Sequence, residues 1–464
     1  MPCSPTPLFD ATATMRLLVF HAGSSGNLGD TGMLEGVVLN LLRNLPAAQL
    51  FVADQPGLRT NIWDLPRVHR QIIPWLVFPY EGALAEVPYL WRYDEKWRGA
   101  VRKWLSLGVG RIFSANAISC PSLATANRIH TLREFCAPFD GLHMVGGGYL
   151  TDTFPGMLVQ AFGLAQAFLE QGKPVLLTGQ QVGPFQSPVL QTLAGRLLRG
   201  ARFVGLREPT RSVGLCQEFH VDPMRFRVMG DDSFGIPSSS EAEISACLAA
   251  HRLEAGKFLA FNVRVSPYAA RHGEYLQFIA RLAEELARLF RLPVLMVPIA
   301  FNESDSDDRS GETLLGQMQH TEVGRIASDR LTPGLVRGLL GKAFGAIGVS
   351  YHFCTFALVQ GVPAVSLHEG DYYSQKARGI CGFWQDRRLA MSLQKADIAS
   401  AVEHISNLLQ DSPWRAKLRQ RARFAIEDWQ GIFDEKIQKT FGTQHPLVGS
   451  VRQLRAELPA RLSP

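Results

Sequence analysis

Short apolar runs recur along this 464-residue chain, and each ends on glycine, a polar side chain or a charge. In the first half they are RLLVFHA (16–22), GLHMVGG (141–147), PVLLTGQ (174–180) and RFVGLRE (202–208). The second half repeats the habit with FLAFNVR (258–264), PVLMVPIA (293–300), GAIGVS (345–350) and PAVSLH (363–368). Runs this short and this apolar suit strands buried on both faces. Helical periodicity fills the intervals, as at 275–290 and 396–409. Strands alternating with helices imply parallel βαβ sheets covered on both sides. The expected fold class is α/β, with two Rossmann-like domains facing a cleft. Ligands then bind outside the carboxyl ends of the strands.

The length exceeds one ordinary core, so two domains with extensions are expected. A serine run within GIPSSSEAEISACLAAHRLEAGKF separates the halves near 236–257. The reading is a disordered tail (1–14), an N-terminal domain (15–240) carrying an insertion (60–135), a C-terminal domain (255–410) and a helical extension (411–464). An apolar share of 46%, a charged share of 19% and a net charge of +6 describe an ordinary soluble protein, too weakly basic to imply nucleic acid. No apolar run reaches the roughly 18 residues of a membrane span. Seven cysteines without zinc spacing fit reduced thiols in a cytoplasm. Within the insertion, 89–108 aligns Trp97, Val101, Trp104 and Leu105 on one helical face, flanked by Arg98, Arg102 and Lys103. It reads either as a helix on an anionic membrane surface or as a helix buried against its own domain.

The loops after the strands carry the chemistry. In HAGSSGNLGDTGML (21–34), Gly23, Gly26 and Gly29 permit tight turns, and Asp30 can cap a helix starting at Thr31. Gly26, Asn27, Gly29 and Asp30 thus form a candidate loop for an anion or an acceptor. The spacing is not G-x-G-x-x-G, so a nicotinamide cofactor is not indicated. MVGGGYLTD (144–152) and TGQQVGPF (178–185) add Gly147, Gly148 and Gln180 at the same sheet edge. Arg207 ends a strand and Arg211 follows one helical turn later; Arg207 either binds a carboxylate or phosphate or makes a surface ion pair with Glu208 or Asp231. FNVRVSPY (261–268) brings Asn262 and Arg264 to a strand end. The polar loop of PIAFNESDSDD (298–308) offers carboxylates either to sugar hydroxyls or to solvent.

The stretch 348–379 is the most demanding. An apolar strand stops at Ser350-Tyr351-His352, and a second strand is followed by Lys376 and Arg378. A core needs neither this histidine nor these cations. A site that protonates a substrate and holds an anion uses both. Cys354 has no activating neighbour in sequence and reads as a packing residue.

Taken in order, these motifs resemble the polysaccharide pyruvyl transferase family. The resemblance rests on GNLGD (26–30), VGGGYLTD (145–152), GQQVGPF (179–185), LRE with Ser212 (206–212), DD (231–232), VPIAFNESD (297–305), SYHFCTFALVQGVPAV (350–365) and YYSQKARG (372–379). It covers about residues 15 to 410. It implies a fold similar to the GT-B glycosyltransferases. The implied activity moves an enolpyruvyl or ketal pyruvyl group from phosphoenolpyruvate to a sugar of a surface polysaccharide or its lipid-linked precursor. By the same resemblance His352 is the general acid and Arg207 binds the donor, with no cofactor or metal. The chain departs from members that carry Arg-Leu-His where it has Ser350-Tyr351-His352. Arg264, Lys376 or Arg378 would then supply the missing charge. Two rivals stay open: a GT-B glycosyltransferase using a nucleotide sugar, and a non-catalytic binding protein of an envelope assembly. The sequence also leaves a homo-oligomer open.

Overall fold

A computed structural model describes residues 14–23, 26–53, 58–71, 132–264, 272–301, 306–318, 323–326, 330–394 and 396–442. The tail at 1–13, the helix expected at 89–108 and residues 443–464 lie outside the described residues.

The N-terminal sheet contains β1 (Arg16–Phe20), β2 (Gln49–Ala53), β3 (Val68–Gln71), β4 (Gly141–Met144), β5 (Gly147–Leu150), β6 (Val175–Val182), β7 (Phe203–Leu206) and β8 (Phe226–Val228). Its order is β3-β2-β1-β4-β6-β7-β8, with β5 paired to β6, and every pairing is parallel. The C-terminal sheet contains β9 (Leu259–Asn262), β10 (Val294–Met296), β11 (Val323–Arg325), β12 (Gly345–Gly348), β13 (Ala364–His368) and β14 (Ala390–Ser392). Its order is β11-β10-β9-β12-β13-β14, again all parallel. Both sheets run outward in two directions from their first strand. The order therefore reverses between β1 and β4, and between β9 and β12. Loops leaving those strand pairs diverge and open a crevice at the carboxyl edge.

Helices cover both sheets, as buried strands require: α1 (Leu28–Asn44), α2 (Pro155–Glu170), α3 (Pro188–Gly200), α4 (Ser212–Glu218), α5 (Glu241–Ala250) and α6 (His272–Phe290), then α7 (Asp307–Leu315), α8 (Pro333–Gly341), α9 (Tyr351–Val359), α10 (Gly370–Trp384), α11 (Ile398–Gln410) and α12 (Ser412–Phe441). The serine run between the halves becomes a helix start. Ser240 and Glu243 form a reciprocal capping box at α5. At α1 the structure corrects the sequence expectation. Asn27, not Asp30, is the cap: it is extended, and its side chain accepts from Gly29 N and Asp30 N, so the helix begins at Leu28.

Among the described residues, the lobes are tied together in several places. First, the loop before α1 pairs with the loop after β10: Asn27 and Ala300 form an antiparallel bridge, Leu28 N donates to Ile299 O (2.8 Å) and Phe301 N donates to Gly26 O (2.6 Å). Second, Arg337 on α8 is buried and donates to Ser233 O, Phe234 O and Ile236 O. Third, α12 returns to the N-terminal lobe. There Trp429 stacks on Phe433 at 4.9 Å, and Trp429 Nε1 lies 3.4 Å from Asp232 Oδ1. Both rings are fully buried, worth roughly 1.5–3 kcal/mol for a side chain of this kind. No described helix is long and apolar enough to cross a membrane.

Candidate active site between the two sheets

His352 is placed by a strand that is made to stop. Asn262, at the end of β9, accepts a hydrogen bond on Oδ1 from Ser350 N (3.0 Å). Ser350 is extended and α9 begins at the next residue, so His352 falls in the first turn of the helix. Its ring crosses to the other lobe. It packs on Gly29 in the first turn of α1, and its Nε2 lies 3.7 Å from Asp231 Oδ2 in the loop after β8. His352 is 6% exposed and Asp231 is fully buried. Neither Nε2 nor Oδ2 has a hydrogen-bond partner. Burial alone would raise the Asp231 carboxyl; His352, Arg207 and Ser233 together hold it below its ordinary value.

Cations converge on the same place from both lobes. Arg207 follows β7, and its backbone N donates to Gln180 O. Its buried guanidinium bonds Gln181 Oε1, lies 3.7 Å from Asp231 Oδ2 and sits 4.2 Å above the Tyr351 ring. Tyr351 belongs to the opposite lobe. Lys376 reaches in from α10, with its Nζ 4.2 Å from the Tyr372 ring centre. Burial, with repulsion from Arg207 and Arg264, pushes Lys376 down to about 7 against the attraction of Asp30. Arg264 Nε donates to Asp307 Oδ1 at 2.8 Å. A Cβ on Gly148 would stand 3.2 Å from Arg207 Nη2 and 3.9 Å from Lys376 Cε. Gly147 beside it has φ +151, open to glycine only. The expected glycine turn therefore borders the cation cluster.

Other expected residues serve as braces. Gln180 lies inside β6, and its buried Nε2 donates to Val145 O and Thr178 O rather than facing the crevice. Gly26 and Asn27 are spent on the inter-lobe pairing and the α1 cap. Asn262 Nδ2 donates to Val297 O and Asp307 Oδ2. Ser350 is buried and contributes its backbone. Arg378 is a correction: it is exposed, two residues past Lys376 on a helix and so on the opposite face. Arg211 is exposed as well. Arg207 does pair with Asp231, but in the interior, not at the surface. Glu208 instead accepts from Thr210 N, Arg211 N and Ser212 N, which starts α4.

Sequence reasoning passed over three site residues. Asp307 accepts from Ile299 N, Ala300 N, Asn262 and Arg264, and so ties Arg264 to the loop that pairs with the other lobe. It stood in a loop whose carboxylates had two readings, sugar hydroxyls or solvent, with solvent slightly favoured for any one aspartate. Tyr372 carries Lys376 on its ring face and meets Phe154 of the other lobe edge-on at 5.9 Å. His21 directly follows β1, where the rule that selected His352 would also have selected it. It is buried beside Asp30 and within electrostatic range of His352; desolvation lowers its pKa. Among the described residues, no group of three or more His, Cys, Asp or Glu side chains is placed to hold a metal ion.

Comparison with known proteins agrees with this architecture. The chain superimposes on a putative UDP-N-acetylglucosamine 2-epimerase from Listeria monocytogenes with a TM-score of 0.55 at 15% identity, over 93% of this chain and 97% of the other. The UDP-GlcNAc 2-epimerase from Neisseria meningitidis gives 0.54 at 14% identity, over 92% and 100%. The calicheamicin glycosyltransferase CalG4 gives 0.50 at 12% identity, over 93% and 100%. The fold is therefore GT-B-like. In sequence, the chain is 21% identical over 326 residues to the amylovoran biosynthesis protein AmsJ of Erwinia amylovora, covering 68% of this chain and 75% of AmsJ. Residues 57–369 match the polysaccharide pyruvyl transferase family model, and the chain belongs to that family.

Proposed function

We propose that this transferase moves a pyruvyl group from phosphoenolpyruvate to a sugar hydroxyl of an exopolysaccharide or its lipid-linked precursor. The observation that carries this reading is the convergence of Arg207, Arg264 and Lys376, from both lobes, in the crevice that His352 enters. Phosphoenolpyruvate has a carboxylate and a phosphate on a three-carbon frame. A partly desolvated cluster of cations matches that density of negative charge. The reading takes its donor from the family, and the kinship with AmsJ supports an exopolysaccharide acceptor.

In this mechanism protonated His352 gives its proton to the methylene carbon. The double bond is consumed, and the central carbon becomes electrophilic. An acceptor hydroxyl attacks that carbon, and its proton returns to the imidazole. Phosphate then leaves with the C–O bonding pair, and the electrophilic carbon re-forms. A second hydroxyl of the same sugar closes the cyclic ketal, and its proton leaves with the phosphate. The cations hold the carboxylate and the departing phosphate throughout. Arg264 and Lys376 supply the charge that members with Arg-Leu-His draw from the arginine at the position of Ser350.

The test is a donor screen that follows phosphate release and protection against heat. Phosphoenolpyruvate should protect the protein and release phosphate in the presence of acceptor. His352→Gln should melt normally and lose about 10²–10⁴-fold in turnover. Protection by nucleotide sugars alone, or full turnover in His352→Gln, would reject the assignment.

A further inference from the structure

Asp231 stands between the proton donor and the donor-binding arginine. Its Oδ2 is 3.7 Å from His352 Nε2 and 3.7 Å from Arg207 Nη1. That is beyond a hydrogen bond to either, yet no water-exposed route separates the three side chains, since Asp231 is fully buried and Arg207 and His352 nearly so. The carboxylate is not free to turn away. Its Oδ1 accepts from Ser233 N (3.0 Å), and the next residue, Asp232, is anchored by Gly146 N (2.8 Å) and Thr178 Oγ1 (2.7 Å). One fixed anion thus faces a guanidinium and an imidazole, and its Oδ2 and the imidazole Nε2 are each without another partner.

We infer that Asp231 is a positioning residue: it keeps the neutral His352 protonated on Nε2, and it shifts its charge toward that imidazole when an anion engages Arg207. This rests on the reading of Arg207 and His352 given above. The Nε2 proton points at Asp231. In the empty site the carboxylate is divided between guanidinium and imidazole. An anion bound to Arg207 satisfies the guanidinium, and Asp231 is left to stabilise the imidazolium. Donor arrival and proton loading are then coupled through one side chain. The depressed carboxyl of Asp231 agrees with this sharing. The other titratable groups facing the ring are Tyr351, whose ring centre is 5.2 Å away, and His21 after β1, which has Asp30 of α1 beside it.

The experiment uses the full chain with ¹⁵N-labelled histidine, and inorganic sulfate as the anion. The His352 resonance is assigned by its loss in His352→Gln. In the wild type the neutral ring should carry its proton on Nε2, and sulfate should move its titration to higher pH. In Asp231→Asn the ring should titrate about one pH unit lower, and the sulfate-linked shift should shrink at least threefold. An Nδ1–H tautomer in the wild type would overturn the inference. So would an unchanged titration and sulfate response in folded Asp231→Asn. If that variant does not fold, the wild-type tautomer alone decides. None of these readouts uses phosphoenolpyruvate or turnover, so a failed pyruvyl transfer and a failed coupling give different results.

Discussion

Gly29 and His352 pack against each other across the two lobes with no space for a side chain at residue 29: a Cβ there would overlap the imidazole Cγ and Nδ1. The contact joins the first turn of α1 to the first turn of α9. The imidazole therefore holds its place only while the lobes are in register.

Gly29→Ala should displace the imidazole or part the lobes. A misplacement of about 1 Å at a reacting group costs roughly 10²-fold, and a loss of that size is expected in phosphate release. Gly214→Ala is the control, because a Cβ there meets nothing within 4 Å. Equal activity in the two variants would show that the contact is not needed.

Lys376 makes anion binding depend on pH. Burial, with Arg207 and Arg264 close by, depresses the group to about 7, so above pH 7 the free protein has mostly lost that proton. A bound anion restores it, and binding then takes up a proton. Sulfate does not titrate in this range. Its Kd should weaken by up to about tenfold per pH unit between pH 7 and 9. Lys376→Arg should flatten the profile, since guanidinium stays charged. Lys376→Met should bind weakly at every pH. A wild-type Kd that is constant from pH 7 to 9 would contradict the depressed lysine.

The parallel sheets were legible because buried parallel strands must be short, apolar and followed by turns, and RLLVFHA or GAIGVS can be little else. The position of His352 was legible because it closely follows a strand's carboxyl end, where a parallel sheet opens its crevice. The local reading failed where two candidates lay close together. Asn27 and Asp30 are both good caps, and only the backbone at residue 27 decides between them. Lys376 and Arg378 look alike in sequence, and helical phase puts one in the crevice and the other in solvent. Asp231 and Asp307 matter through partners far along the chain, at Arg207, His352 and Arg264. No local pattern reports contacts between loops that leave different strands.

Asp232 predicts a fall in stability with rising pH. Its buried carboxyl is raised to about 7, chiefly by desolvation, against hydrogen bonds from Thr178 and Gly146. From its ordinary value of 3.8 up to about 7 the folded protein keeps a proton that the unfolded chain has lost. The associated stability is complete below pH 3.8 and is lost as pH rises through about 7. Glu35, raised to about 7 by burial, acts in the same direction. The urea midpoint should therefore be lower at pH 7 than at pH 5, a window below the one in which the depressed Lys376 acts in the opposite direction. The difference should shrink in the double variant Glu35→Gln, Asp232→Asn. An unchanged difference would place the titrating groups elsewhere.

Arg337 bears on the alignment of the lobes, not on the chemistry. It projects from α8 of the C-terminal lobe, and its Nη1 donates to three carbonyls of 233–236, directly after Asp231 and Asp232. Ser233 O also accepts from Ile236 N (3.4 Å), and the guanidinium clamps the whole turn from the opposite lobe. Hydrogen bonds to a charged donor contribute about 1.5–3 kcal/mol each to stability, and unmade buried acceptors cost a similar amount. Arg337→Met should thus lower unfolding free energy by about 3 kcal/mol or more, read by urea denaturation. Arg337→Lys should recover only part of it, because an ammonium on a shorter reach cannot serve all three oxygens. Since the same turn carries Asp231, turnover should fall too in Arg337→Met at temperatures where the variant is folded, and the Kd for sulfate should rise less than turnover falls. A variant with wild-type stability would show that the clamp contributes nothing, and one with lowered stability but full turnover would show that the Asp231 loop keeps its place without it.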